Sequence, residues 1–272
     1  MVAKVISILN EKGGVGKTTI SLHLSRILSK VNDWKVLSID NDPQGNLTGS
    51  LLSGQTLNPN SNIFNLYDKK EGDEDVVPMQ IDKNLKLIGS DSTLSSKLSS
   101  SDIDLIYKMY DALEKFKNDY DFIIIDCLPS FGQLNMSALM ASDYVIIPVT
   151  PDDYAVTGLN SLIKKISKVQ ELKKRAGGSI EILGILLNMV EGRKTIIQTQ
   201  FIEELNNKYK GHIFENILYK SSKYSEASLM KKSIVEYDIK VVGKSFLKFV
   251  KEALMRIQSG NKNKINNQNN VA

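Results

Sequence analysis

The chain has 272 residues, 42% hydrophobic and 24% charged, which suits one large α/β domain with a substantial core and argues against a largely disordered or fibrous chain. Its single cysteine, Cys127, excludes a disulfide framework and a cysteine-held cluster within one chain, and fits a reducing cytoplasm. Residues 1–159 carry 14 Lys/Arg against 21 Asp/Glu, whereas residues 160–272 carry 21 against 10, an asymmetry that suggests a polyanion partner for the C-terminal part. The N-terminus lacks a secretory leader pattern, and no apolar run approaches the roughly 18 residues that cross a bilayer, so no membrane association is expected.

The first apolar run, Val5–Leu9, reads as a strand. A glycine-rich stretch, Asn10 to Thr19, leads into a helix predicted from about Thr18 to Val31, with Ile20, Leu24, Ile27 and Leu28 on its apolar face. His23 within it reads as a packed histidine rather than a ligand. Lys35–Asp40 is a parallel strand ending on carboxylates. Residues 52–80 form a surface excursion with a helical turn near Ile63–Tyr67. Leu85–Ile88 is a short strand, Ser90–Ser101 has little periodicity, and Ile103–Phe116 is an amphipathic helix. Buried strands follow at Phe122–Asp126 and Tyr144–Val149, with helices around Leu134–Ala141 and Val156–Lys174. Ile180–Val190 is a strand, Thr195–Tyr209 a helix, Ile213–Leu218 a last strand and Val241–Gln258 the terminal helix. Residues 1–258 thus read as a single domain and 259–272 as a disordered Asn/Lys-rich tail. The alternation of strand and helix calls for a doubly wound, mostly parallel α/β sheet whose ligands gather at the carboxyl ends of its strands.

Three motifs fall at those ends. In the first, Gly13, Gly14, Val15 and Gly16 turn backbone N–H groups inward at a helix N-terminus, a cradle for phosphate oxygens completed by Thr19. Lys17 reaches the β- and γ-phosphates and the Thr18 hydroxyl is placed to ligate Mg²⁺. In the second, Asp40 and Asp42 follow a strand, where they order Mg²⁺ and its waters and polarise an attacking water. In the third, Asp126 closes an apolar strand, positioned to hold Mg²⁺ opposite Thr18. The ligands expected are therefore a nucleotide with β- and γ-phosphates and Mg²⁺, the nucleotide being ATP by the resemblance given next. Cys127 reads as an apolar filler.

The run Lys12-Gly13-Gly14-Val15-Gly16-Lys17-Thr18-Thr19, with Glu11 at the usual first glycine, resembles the deviant phosphate loop of the ParA/MinD class of ATPases. The run Asp40 to Asn46 resembles the D-x-D-P-Q-G-N signature of ParA-type members. That resemblance implies a P-loop ATPase fold and an ATP-dependent sandwich dimer in which Lys12 reaches the nucleotide of the other subunit. It makes Asp42 the water-positioning residue and Asp40 a support for the metal and its loop. Leu128 departs from the D-x-P-P-S pattern after Asp126, which bears on the stiffness of that loop. Asn188, near a strand end, is where related folds offer an amide to the base. Segments around Arg193, Tyr219 and Tyr237 resemble ParA segments written D-G-R-T, I-P-R-N-V-R-x-S-E-A and x-Y-D-P-x-S, with Tyr219 for proline and lysines for two arginines. By that resemblance Arg193, Lys220, Lys223 and Lys240 line a surface for non-specific double-stranded DNA.

The resemblance implies a small partition ATPase without an N-terminal helix-turn-helix domain, cytoplasmic and nucleoid-associated. It would be released from DNA on hydrolysis stimulated by a ParB-like centromere-binding protein, with weak basal turnover. The alternative from the same class is a MinD-like membrane-associated switch in division-site placement. It needs a C-terminal amphipathic helix, whereas the stripe formed by Phe246, Phe249, Val250, Ala253, Leu254 and Ile257 is taken up by the core.

Overall fold

The computed structural model describes residues 2–269 apart from 31–32, 71, 99–101, 152–154 and 193–194, with backbone alone at 155–156 and 261–269. Arg193, assigned above to a DNA surface, lies outside the described residues.

β1 (Lys4–Ile8) is a run of β-branched residues buried on both faces, which places it inside a sheet rather than on its edge. The loop after it enters α1 (Lys17–Lys30), and β2 (Val36–Asn41) lies two places away from β1. Two short helices follow, α2 (Asn46–Leu52) and α3 (Ile63–Asp68), then β3 (Met79–Asp82) and β4 (Leu85–Ile88). Next come α4 (Leu105–Glu114), β5 (Phe122–Cys127), α5 (Gln133–Ala141), β6 (Tyr144–Val149), α6 (Ala155–Arg175), β7 (Glu181–Leu187) and α7 (Ile196–Lys208). The chain closes with α8 (Lys223–Leu229), α9 (Ile234–Tyr237) and α10 (Val242–Asn269).

The strands order as β3-β4-β2-β5-β1-β6-β7, all parallel except the β3–β4 pair at one edge. One apolar layer lies between the sheet and α3–α6, and the other between the sheet and α1, α2 and α10. The doubly wound parallel sheet expected from the sequence is what the chain forms.

One sequence expectation is corrected here. Ile213–Leu218 is not a strand but an interrupted ladder along β7: Phe214 N–H bonds Ile185 O (2.9 Å) and Leu218 N–H bonds Leu187 O (2.9 Å). Between them the N–H groups of Glu215 and Asn216 are captured by the Glu252 carboxylate of α10 (2.9 and 3.1 Å), which removes them from the sheet. Arg256 fixes that carboxylate at 2.9 Å and lies over the Phe214 ring. The last helix runs from Val242 to Asn269. After Gly260 the chain contains no proline or glycine to stop it.

Candidate nucleotide site

Because β1, β2 and β5 are adjacent and parallel, their carboxyl ends deliver all three motifs to one place. Asp40 and Asp126 stand in register on neighbouring strands, and β1 runs directly from the same edge into the glycine loop. Gly14 and Gly16 take φ of 75° and 88°, the left-handed region that glycine alone enters without strain. A Cβ at Gly13 or Gly14 would meet nothing within 4 Å, so at Gly14 backbone conformation rather than crowding calls for glycine. At Gly16 a Cβ would collide with Asn188 Nδ2, so close approach as well as conformation demands glycine there.

Lys17 is only 7% exposed, and its Nζ donates to Lys12 O at 3.1 Å. Burial holds its pKa below the ordinary lysine range, against the pull of Asp126, Cys127 and Asp42. Such a cation sits ready for an anionic ligand. Lys12 is exposed on the outer rim, its backbone N–H held by Asn10 Oδ1 at 2.9 Å.

Asp126 is fully enclosed and accepts hydrogen bonds from the Thr18 and Ser21 hydroxyls, the latter at 3.0 Å. Burial, then the neighbouring Asp40 carboxyl, push its pKa well above the ordinary carboxylate range. Asp40 is raised by burial too, and both its oxygens are already engaged. Oδ2 accepts from the Thr48 N–H and hydroxyl (2.8 Å each) and Oδ1 from Asp42 N–H (3.2 Å). Asp40 therefore braces α2 and the Asp42 turn on the strand end. Asp42, half-buried, accepts from Gln44 N–H at 2.9 Å, and its carbonyl accepts from Gly45 N–H at 2.9 Å, so the turn presents it next to Lys17.

Asn188 sits at the end of β7 and 4% exposed, with its Nδ2 donating to Val15 O at 2.8 Å. The amide nitrogen reserved above for a base instead fastens the phosphate loop. Beside it a cleft of about 170 Å³ is lined by Thr19, Asn188, Met189, Tyr219 and Lys220. Loop stiffness after Asp126, in question for want of the first proline, comes from elsewhere. Leu128 is buried, and Asn135 at the start of α5 donates to both Leu128 O (2.9 Å) and Ser130 O. Cys127 is buried with its thiol pushed up to about 12 by burial first, which makes it inert.

The cations assigned to DNA separate in space and in state. Lys220 and Lys240 are exposed. Lys223 is half-buried and ion-paired with Asp238 at 2.8 Å, a carboxylate that also accepts from Val242 N–H at 3.2 Å. That lysine ties α8 to the start of α10.

Sequence reading missed Ser21, Thr48, Asn41 and Asn135. Asn41 donates to Leu134 O (3.0 Å) and accepts from the buried Tyr67 hydroxyl (2.9 Å), linking β2 to α5 and α3. The four-residue spacing from Lys17 to Ser21 on one helix face was the available signal, obscured by equivalent serines at 25 and 29.

The model of a family described as an AAA domain matches residues 3–177. Among curated proteins, the sporulation initiation inhibitor protein Soj of Bacillus subtilis is 34% identical over 241 residues, covering 86% of this chain and 91% of Soj. The chromosome partitioning protein ParA of Myxococcus xanthus is 34% identical over 263 residues, covering 94% and 89%. The chain belongs to the ParA/Soj family of partition ATPases. Its fold agrees: McdA of Cyanothece, solved in complex with ATP, superposes with a TM-score of 0.78 at 28% identity, covering 93% of this chain and 96% of McdA.

Proposed function

We propose that the chain is an ATP-dependent DNA-partition switch: a sandwich dimer forms on ATP, binds duplex DNA without regard to sequence, and lets go after hydrolysis. The observation that carries this reading is the convergence of Lys17, Thr18 and Asp126 beneath the glycine loop, with Asp42 beside them. ATP suits it because Lys17 lacks a carboxylate partner at salt-bridge distance among the described residues.

Mg²⁺ fits as well. Among the described residues no group of three or more His, Cys, Asp or Glu could hold a metal alone, which matches an ion completed by phosphate oxygens and water. Thr18 and Asp126 are the residues to hold it, and once bound it neutralises charge building on the transferred phosphoryl group.

The remaining work is done by side chains. Lys17 binds the phosphates from within the subunit, and Lys12, on the exposed rim, is placed to do so from the opposite one. Asp42 orients the attacking water. Because its carboxylate is already tied to its own turn, turnover is slow until a ParB-like partner reshapes that turn. Lys220, Lys240 and Arg193 contact DNA phosphates, giving up to about six contacts across two subunits and a steep dependence on salt. No helix among the described residues is long and apolar enough to cross a membrane.

The test is a binding titration of the full chain with ATP against random-sequence duplex DNA and against phosphatidylglycerol vesicles. ATP-dependent, salt-sensitive retention on DNA is the expected result. Retention on vesicles alone would replace this reading with the membrane switch.

A further inference from the structure

Far along α1 from the phosphate loop, a second cationic site is built around Arg26. This arginine is 5% exposed, yet no carboxylate lies within salt-bridge distance of it among the described residues. Its Nε has no hydrogen-bond partner, and one terminal nitrogen makes only a long contact of 3.4 Å with Ser50 O. A guanidinium offers five donors in a planar fork, and leaving such a charge enclosed and unpaired is costly.

The guanidinium lines a cleft of about 140 Å³ between α1, α2, the β3–β4 hairpin and the turn from α8 to α9. Two further cations line it. Lys231 approaches from that turn with φ of 56°, a left-handed backbone that strains any side chain with a Cβ. Lys30 lines the cleft as well, but its charge is met by Glu236 at 2.6 Å and faces Asp82 at 3.8 Å. Asp82 is the acidic group on the rim. Leu51, Leu52 and Leu85 give the cleft an apolar wall that strengthens charge interactions inside it.

The geometry points to a binding site for a phosphate-sized oxyanion, held by the Arg26 fork and by Lys231. An oxyanion there supplies partners to the Arg26 terminal nitrogens, in the end-on paired geometry open to a guanidinium, and the enclosed Nε–H beside them reports its arrival. Nothing in the cleft belongs to the nucleotide site: its lining shares no residue with the phosphate loop or with the Asp40, Asp42 and Asp126 strand ends.

The experiment follows the side-chain Nε–H signal of Arg26 by ¹H–¹⁵N NMR, assigned by its disappearance in Arg26→Lys. The full chain is saturated with Mg²⁺ and a non-hydrolysable ATP analogue, so that the phosphate loop takes no part. Inorganic phosphate and acetate are titrated separately against chloride at matched ionic strength. Phosphate is expected to move the signal saturably, with a Kd of about millimolar. Lys231→Gly, which also relieves the strained backbone, should weaken that Kd about tenfold through loss of one charge-assisted contact. A signal unmoved by phosphate, or one saturated by acetate and not by phosphate, would overturn the assignment. So would an unchanged Kd in Lys231→Gly, a variant expected to fold at least as well as the parent.

Discussion

The nucleotide end of the sheet and the C-terminal segment carrying α8 to α10 handle charge in opposite ways. At the strand ends, Asp40, Asp126 and Lys17 are enclosed, with their charged forms disfavoured by burial. In the C-terminal segment, Lys220 and Lys240 stand in water, and Lys223 is neutralised by Asp238. The first region stores electrostatic tension that a triphosphate and a metal relieve. The second presents solvated charge, screened by salt, of the kind that the proposed DNA contact uses. α1 spans the two regions: it starts at Lys17 and meets α9 through His23 Nδ1, which accepts from Ile234 N–H at 3.2 Å.

The contrast breaks most visibly at Lys17. Lys17→Ala removes the enclosed cation, and a loss of about 2–5 kcal/mol in ATP affinity is expected, roughly thirtyfold or more. Equilibrium titration with a fluorescent ATP analogue measures it.

Asp126→Asn sharpens the same contrast through pH. In the folded, nucleotide-free chain the Asp126 carboxyl is raised above its unfolded value, so folding favours the protonated form. The stability it allows is fully present below the unfolded pKa and is lost as pH rises through the raised one. The Tm of the nucleotide-free chain should therefore fall between the ordinary carboxylate range and neutrality. Asp126→Asn should flatten that fall and raise Tm at neutral pH, while abolishing Mg²⁺-dependent hydrolysis. Calorimetric scans across pH, paired with phosphate-release assays, check both halves.

A smaller effect tests the brace. Asn188→Ala leaves the buried Val15 carbonyl without its donor, at about 1–3 kcal/mol, and should lower ATP affinity several-fold without removing it. Smallest is Lys223→Ala, which should cost little stability and little DNA affinity, because its charge is already met by Asp238. A loss of DNA binding in Lys223→Ala as large as in Lys220→Glu would erase the distinction between the two lysines.

How much could be read from the chain follows the same divide. The phosphate loop, the strands that end on Asp40 and Asp126, and the parallel sheet were legible, because each rests on a contiguous run of a few residues. In the C-terminal third α7 and the start of α10 were legible too, whereas α8 and α9 were not. α8 and α9 have seven and four residues, too short for a helical period to show. The Ile213–Leu218 run looks like a strand locally, and only the distant Glu252 diverts its N–H groups. α2 was hidden for a similar reason: it begins after Gly45 in a left-handed turn at φ 61°, and its fastening to Asp40 through Thr48 is tertiary. Lysine in the sequence says nothing about its partner, so Lys220, Lys223 and Lys240 read alike until Asp238 separates one of them.

The most direct test of a nucleotide site that governs a DNA surface is the affinity of the full chain for random-sequence duplex DNA, with and without ATP. It is measured for the parent and for Lys220→Glu/Lys240→Glu at two salt concentrations. The account predicts tight binding with ATP alone, weakened steeply by salt, and loss of that binding in the double variant while ATP-induced dimerisation persists. Equal binding without ATP, or a double variant that holds DNA as well as the parent, would contradict it.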